Sequence, residues 1–226
     1  MELTWFGHSN FRLAHGGAAF SIDPFFTGNP KAPGPWRKTL GSVDAVLVTH
    51  DHGDHLGQAV EISTERDIPL VGVFDTVCKL VSQGLPQELG LGMNLGGAVR
   101  LADVEVQMVQ AMHSSASGTC AGYILTWPDG FCAYHSGDTA LFGDMEMFGR
   151  FQHIHLAMLP IGGHFTMDPK SAAHACGLLG CDMVAPMHWG TFPILEQDTA
   201  GFSKQLQKIA PSVKLLDLAP GGALTV

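Results

Sequence analysis

The stretch that decides the fold is DAVLVTHDHGDH, residues Asp44 to His55. Its first half, DAVLVT, is almost continuously apolar, which is typical of a short strand buried on both faces. The second half contains the pattern H-x-H-x-D-H, so four potential metal ligands follow directly on the end of that strand. In a chain of this composition the pattern is expected about 0.002 times by chance, so it is a strong signal of metal binding.

The spacing of these ligands predicts two cations on one loop. On an extended turn His50 and His52 point the same way and can bind one cation, while Asp54 and His55 enter the next helix and can reach a second. Four ligands do not complete two coordination spheres, so further ligands must come from the ends of other strands. Three candidates stand at such ends: His113, Asp138 and His188.

Strands and helices alternate on both sides of this motif. The chain opens as a meander of short strands, and its later part alternates strand and helix, with a helix that begins at Asp168 and Pro169. This order predicts an α/β fold of two similar layers packed sheet to sheet, in a single domain over residues 1–226. The segment from Pro24 to Gly41 is predicted to be an irregular loop, and one helix is predicted from Leu56 to Arg66.

Composition excludes several classes of protein. The chain has 226 residues, of which 46 % are hydrophobic and 15 % charged, which is ample for a large core. A net charge of −9 argues against nucleic acid as a partner. No segment has the roughly 20 apolar residues that span a bilayer, and no leader is evident, so we expect a cytoplasmic protein without membrane contact. Five scattered cysteines favour reduced thiols, and the apolar composition favours a homo-oligomer.

These motifs resemble a known superfamily. THDHGDH, the isolated His113, SGDT around Asp138 and the late His188 resemble the metal-binding signature of the metallo-β-lactamase superfamily. WFGHSNF, SIDPF, YHSGDT and PIGGHFTM are similar to bacterial metal-dependent hydrolases related to L-ascorbate-6-phosphate lactonase. The resemblance implies an αββα four-layer sandwich. It also implies one metal on His50, His52 and His113, a second on Asp54, His55 and His188, and Asp138 bridging them.

Two divalent cations with such ligands predict hydrolysis. They can activate a water molecule as hydroxide and polarise the carbonyl or phosphoryl oxygen that it attacks. Set against Asp54, Asp138 and one hydroxide, the two cations leave net positive charge, which favours a small anionic ester, lactone or phosphoester as substrate. Zinc is the first expectation, with manganese, iron or nickel as alternatives. Two other functions stay open: a phosphodiesterase or nuclease-type enzyme on nucleotides or RNA ends, and a non-catalytic metal-binding protein.

Further residues are candidates around this centre. His8 and His164 are flanked by small residues, and we predict that they line the pocket as catalytic residues together with Asp54. Asp23 follows a strand, where it can either orient a metal-bound imidazole or cap the turn before Pro24.

Two other sets have an ordinary interpretation that we favour. His153 and His155 are predicted to be strand-edge residues. Lys31, Arg37 and Lys38 are predicted to be solvated, with the alternative that they hold a phosphate or carboxylate of the substrate over the cleft.

Overall fold

The structure, a computed structural model, describes residues 1–226. The chain forms fourteen strands, which are β1 (Glu2–Trp5), β2 (Phe11–His15), β3 (Ala18–Ile22), β4 (Ala45–Leu47), β5 (Leu70–Val73), β6 (Gly90–Met93), β7 (Ala98–Leu101), β8 (Val104–Gln110), β9 (Ala121–Thr126), β10 (Cys132–His135), β11 (Leu156–Pro160), β12 (Met183–Met187), β13 (Lys214–Leu215) and β14 (Ala223–Thr225). It also forms seven helices, which are α1 (Trp36–Thr39), α2 (Gly53–Leu56), α3 (Ala59–Arg66), α4 (Phe74–Ser82), α5 (Met145–Phe151), α6 (Pro169–Leu179) and α7 (Ala200–Ile209).

The strands make two sheets of seven. Their orders are β14-β1-β2-β3-β4-β5-β6 and β13-β12-β11-β10-β9-β8-β7. β3, β4 and β5 run parallel to one another, and so do β10, β11 and β12. The carboxyl ends of the parallel strands in a sheet lie at the same edge, so the loops that follow them gather there.

β4 shows why the sheets pack face to face. Ala45 and Leu47 lie in a core cluster that both sheets share, whereas Val46 and Val48 lie in a second cluster shared with helices. Because successive side chains of a strand point to opposite faces, a strand that is apolar throughout needs cover on both sides. β11 repeats this pattern between the shared core and the helices of the second sheet.

The helices form the outer layers. α3 and α4 cover the first sheet through residues such as Ile62 and Leu80, and α6 and α7 cover the second through Ala172 and Phe202. α6 begins as predicted, with Asp168 Oδ1 accepting a hydrogen bond from the Ser171 backbone N–H at 2.7 Å. The order helix, sheet, sheet, helix confirms the predicted αββα four-layer sandwich.

The helix predicted from Leu56 to Arg66 is in fact two helices. α2 ends at Leu56, and the chain turns at Gly57 with φ of 43° before α3 begins. A side chain at Gly57 would overlap the Pro24 carbonyl oxygen, and the Gln58 carboxamide accepts hydrogen bonds from the backbone N–H groups of Phe26 and Thr27. The helix is broken because the loop after β3 packs directly against it.

Three other elements differ from the sequence expectation. The loop from Pro24 to Gly41 contains the one-turn helix α1, which Pro35 can precede because its φ suits a helix start. The glycine-rich strand β6 and the terminal strand β14 have little strand propensity of their own and form by pairing with β5 and β1.

Two further features of the structure concern membrane-spanning helices and disulfide bonds. None of the seven helices has the length and apolar character needed to cross a membrane. All five cysteines are free, and Cys78 alone is exposed.

The contact between α5 and α6 generates a stability prediction. A Cβ at Gly149 would overlap the Leu179 carbonyl oxygen, whereas Gly177, in the exposed part of α6, has open space around it. We expect Gly149→Ala to lower the free energy of unfolding by about 2 kcal/mol, as overpacking does. Gly177→Ala, the matched control, should raise it by about 0.5–1 kcal/mol because alanine favours helix. Urea denaturation checks both values, and equal effects of the two substitutions would contradict this packing.

Candidate metal centre

Polar side chains from both sheets converge at the edge where the parallel strands end. His50 follows β4, His113 follows β8, Asp138 follows β10 and His188 follows β12. The remaining predicted ligands lie between β4 and the end of α2. The structure therefore brings all seven predicted ligands together, in groups whose donor atoms are within 4.8 Å of one another.

The first group consists of His50, His52 and His113. His50 Nε2 lies 2.9 Å from His52 Nδ1, so two ring nitrogens face one point from the same turn. The His113 ring reaches the same point from the other sheet, with its centroid 5.3 Å from those of both histidines. These three side chains are the set that the family resemblance implies for one cation.

The second group consists of Asp54, His55 and His188, and His8 joins it. His8 Nε2 lies 3.1 Å from Asp54 Oδ2, and the His8 ring lies 4.0 Å from the His188 ring, centroid to centroid. Three of these residues are buried, while the Asp54 carboxylate is partly exposed. His8, which is predicted from the sequence to line the pocket, is instead buried within this group of potential ligands and is not part of the cavity lining.

Asp138 lies between the two groups. Its Oδ2 is 3.0 Å from His188 Nε2, 3.2 Å from His55 Nε2 and 3.7 Å from His113 Nε2. The carboxylate thus contacts histidines of both groups, which is the position required of a bridging ligand.

Asp23 holds His55 and the start of the histidine turn in place through its carboxylate. Its buried carboxylate accepts hydrogen bonds from the Thr49 backbone N–H at 2.8 Å, from the Thr49 hydroxyl at 2.7 Å and from His55 Nδ1 at 2.7 Å. Since His55 Nδ1 donates to a carboxylate, its Nε2 is the nitrogen left for a cation. Of the two roles that the sequence left open for Asp23, the structure shows the contact that orients an imidazole.

Asp51 ties the histidine turn to the loop that carries His113. Its carboxylate accepts hydrogen bonds from the Ser115 hydroxyl and the Ala116 N–H, both at 2.8 Å, and it pairs with Lys79 Nζ at 2.7 Å. The Ser117 hydroxyl adds a fourth contact at 2.5 Å. This network fixes two ligand-bearing loops relative to each other, and no local pattern in the sequence identifies it.

Burial and neighbouring charges set the ionisation of the cluster. Burial lowers the pKa of His50 to about 3 and that of His8 to about 4, so both imidazoles are neutral at pH 7. Burial alone would lower the pKa of His55, but the Asp138 and Asp23 carboxylates outweigh it and raise this pKa well above its usual value. Burial would raise the pKa of Asp138, yet His188 and His55 hold it well below its usual value. The cluster therefore places the ionised carboxylate of Asp138 against the imidazole rings of His55 and His188.

Unsatisfied polar atoms concentrate in this cluster. Of nine buried side-chain polar atoms without a hydrogen-bond partner, three belong to residues of the cluster: His55 Nε2, Asp138 Oδ1 and His188 Nδ1. Buried polar groups are almost always partnered, so the unpartnered atoms of His55 and Asp138, whose side chains are in contact, indicate a missing ligand. Imidazole nitrogens and carboxylate oxygens are donors that zinc and similar divalent cations prefer, so these residues fit a metal centre.

A cavity of about 330 Å³ opens onto the cluster. Its walls include His52, Asp54, His113, Asp138 and His188, joined by Ser114 and Phe165. The volume suits a small molecule. Neither Ser114 nor Phe165 was predicted to line the cavity, although Phe165 lies in the PIGGHFTM motif, because both reach it only through the folding of loops from the second sheet.

Other candidate residues lie elsewhere. His164, predicted to line the pocket, does not do so: it is exposed and lines a different depression with Gly163 and Asp198, because its neighbour Phe165 is the residue that faces the cavity. Arg37 forms ion pairs with Glu61 and Glu65 of α3.

His153 and His155 lie just before β11 begins, at the end of that strand away from the cavity, and His153 pairs with Asp182 at 2.9 Å. These two histidines and Asp182 form a separate group of potential ligands, so the strand-edge interpretation describes their position but not this proximity.

Comparison with known proteins identifies the family. A model described as a beta-lactamase superfamily domain matches residues 19–189. A UPF0173 metal-dependent hydrolase from Nitratidesulfovibrio vulgaris strain DP4 is 53 % identical over 228 residues, which span 100 % of this chain and 95 % of that protein. A second, from Pyrobaculum aerophilum, is 38 % identical and is matched over 100 % of both chains. The chain belongs to the metallo-β-lactamase superfamily.

Solved structures agree with this membership of the metallo-β-lactamase superfamily. Igni18, a metallo hydrolase from the hyperthermophilic archaeon Ignicoccus hospitalis, has a TM-score of 0.90 at 34 % identity and is matched over 99 % of this chain and 97 % of that one. An isothiocyanate hydrolase from Delia radicum gut bacteria has a TM-score of 0.80 over 100 % of this chain and 99 % of that one, and its 19 % identity shows a shared fold alone. The resemblance drawn from the sequence motifs is confirmed.

The buried Asp23 contacts generate a second stability prediction. Asparagine tolerates the left-handed φ of 48° at this position, so Asp23→Asn tests the carboxylate with the backbone unchanged. The amide must turn its NH₂ toward Thr49 or His55, so we expect a loss of about 3 kcal/mol in unfolding free energy, measured with chelator present. Asp129→Asn is the control, because Asp129 pairs with His15 on the surface and should matter little. Equal stability of both variants and the parent protein would contradict the organising role of Asp23.

Proposed function

We propose that this protein is a hydrolase with a dinuclear metal centre that cleaves an ester, lactone or phosphoester bond of a small, anionic substrate. The observation that carries the proposal is the cluster itself, in which two groups of potential ligands both contact Asp138 beside an open cavity. A purely structural metal site is closed by its protein ligands, whereas a catalytic one leaves a position open to solvent. An open cavity beside the cluster therefore favours catalysis over a non-catalytic metal-binding role.

The residues of the cluster would hold the two cations. His50, His52 and His113 would hold one cation, Asp54, His55 and His188 the other, and Asp138 would contact both. When bound, the two cations would supply a strong nucleophile from water, polarise the carbonyl or phosphoryl oxygen, and provide positive charge for an anionic substrate. Zinc is the cation that this histidine-rich set suits best, with manganese, iron and nickel as alternatives.

Asp54 and the cavity walls would act on the substrate. Asp54 presents a partly exposed carboxylate to the cavity, where it can accept a proton during attack and return it to the leaving group. Phe165 is 55 % exposed and offers an apolar wall for the part of the substrate beside the scissile bond. No lysine or arginine lines the cavity, so recognition of an anion would depend on the metal centre.

The wider properties of the protein complete the proposal. A core cluster of 26 buried residues draws on both sheets, which supports one hydrolase domain over residues 1–226. The five free cysteines support a cytoplasmic location, and several exposed apolar side chains, such as Phe151 and Ile194, support a homo-oligomer.

Elemental analysis followed by a hydrolysis panel tests this function. We expect about two divalent cations per chain and turnover of lactones, aryl esters or phosphodiesters once the metal is restored. His50→Ala and Asp138→Ala should each lose bound metal and lower kcat/KM on the order of 10³-fold, because charge stabilisation by the cations amounts to several kcal/mol.

His153→Ala is the matched control, since His153 lies outside the cavity and should retain both metal and turnover. Full activity of the His50 and Asp138 variants without metal would refute the proposal. Turnover confined to phosphodiesters would favour the phosphodiesterase alternative, and bound metal without any turnover would favour the non-catalytic one.

A further inference from the structure

His8 is held in an unusual place. It is fully buried, and its backbone has a φ of 57°, a left-handed conformation that residues other than glycine rarely adopt. Its carbonyl oxygen accepts hydrogen bonds from Trp5 Nε1 at 2.8 Å and from the His188 N–H at 3.1 Å. His188 is itself left-handed, with a φ of 58°. These two left-handed residues are joined backbone to backbone, and their rings lie 4.0 Å apart, centroid to centroid.

The His8 ring is held through both of its nitrogens. Nδ1 lies 3.0 Å from the Thr191 hydroxyl, which is also 3.3 Å from the Trp189 carbonyl oxygen. Nε2 lies 3.1 Å from Asp54 Oδ2 and faces the other donor atoms of the second group. Because Nδ1 contacts the hydroxyl, Nε2 is the nitrogen that faces a cation at this point.

His50 shows the same arrangement in the first group. The Thr49 hydroxyl donates to Asp23 at 2.7 Å and so accepts from His50 Nδ1 at 3.0 Å, which leaves Nε2 to face the other ligands. His135 is the contrast within this chain. It is also buried, but backbone groups occupy both of its nitrogens, the Ser9 carbonyl at Nε2 and the Gly137 N–H at Nδ1. The surroundings of His8 thus resemble those of the predicted ligand His50. They differ from those of His135, whose two ring nitrogens both bond to backbone groups.

We propose that His8 Nε2 is an additional protein ligand of the cation held by Asp54, His55 and His188. This inference rests on the proposed metal centre and deepens it. The four donor atoms lie within 4.8 Å of one another, and His8 precedes residues 19–189, which the family model covers.

An additional ligand makes the two sides of the centre unequal. The second group then has four protein ligands besides Asp138, and the first group has three. His8 would therefore strengthen the second group without occupying the cavity, which is lined by His52 and His113 of the first group and by Asp54 and His188 of the second.

The test compares metal affinity in variants of the full chain. Apoprotein is titrated with Co²⁺ and with Zn²⁺, with metal content measured by elemental analysis and the ligand field read from the visible spectrum of the cobalt form. His8→Asn keeps a residue that tolerates left-handed φ but removes the imidazole. We expect it to weaken one of the two cations by about 100-fold, to leave the other within twofold, and to change the cobalt spectrum of the weakened site.

Thr191 supplies an independent variant in case His8→Asn does not fold. Thr191→Val removes the hydroxyl that contacts Nδ1 and should weaken the same cation by about 10-fold, while Thr191→Ser should restore its affinity. His153→Asn controls for loss of a surface histidine. Two cations bound with the parent affinity in both His8→Asn and Thr191→Val would overturn the inference and leave His8 as a hydrogen-bond partner of Asp54. If the parent protein itself binds no cation, the proposed metal centre fails instead.

Discussion

Asp138 carries a carboxylate that is almost completely enclosed by protein, and the imidazoles around it are what make this burial possible. Removing an ion from water costs several kcal/mol unless opposite charge or hydrogen bonds compensate it. Here the compensation comes from His55 and His188, whose nitrogens lie 3.2 Å and 3.0 Å from Asp138 Oδ2. Asp138 follows a strand of the second sheet and His55 follows a strand of the first. Their contact therefore forms only when the two sheets pack in one relative position.

Several departures from ordinary structure follow from that requirement. His8 and His188 adopt left-handed φ values, and Asp23 does the same directly after β3. Strained residues persist only where the surroundings determine them fully. Here Asp23 bonds to the Thr49 backbone and to the His55 ring. Asp51 bonds to Ser115 and Ala116 and so joins the turn after β4 to the loop that carries His113. The rigid sheets supply the platform, and the loops at their ends carry the chemistry.

Sequence patterns predicted the parts of this arrangement that are local. The turn after β4 contains four candidate ligands in six residues, and the apolar runs before His113, Asp138 and His188 mark strand ends, so all seven residues of the cluster could be predicted as candidates. The family resemblance then supplied their grouping. Contacts between distant segments could not be predicted in this way. The His8 ring depends on Thr191, which is 183 residues away, and the break at Gly57 depends on the loop that begins at Pro24.

Anomalous diffraction from crystals of the zinc-loaded protein tests the central claim most directly. Data collected on either side of the zinc absorption edge locate each bound cation without reference to activity. Our account predicts two peaks, one among His50, His52 and His113 and one among Asp54, His55 and His188, with the Asp138 carboxylate between them. A single peak at the cluster, or zinc only beside His153, His155 and Asp182, would contradict it.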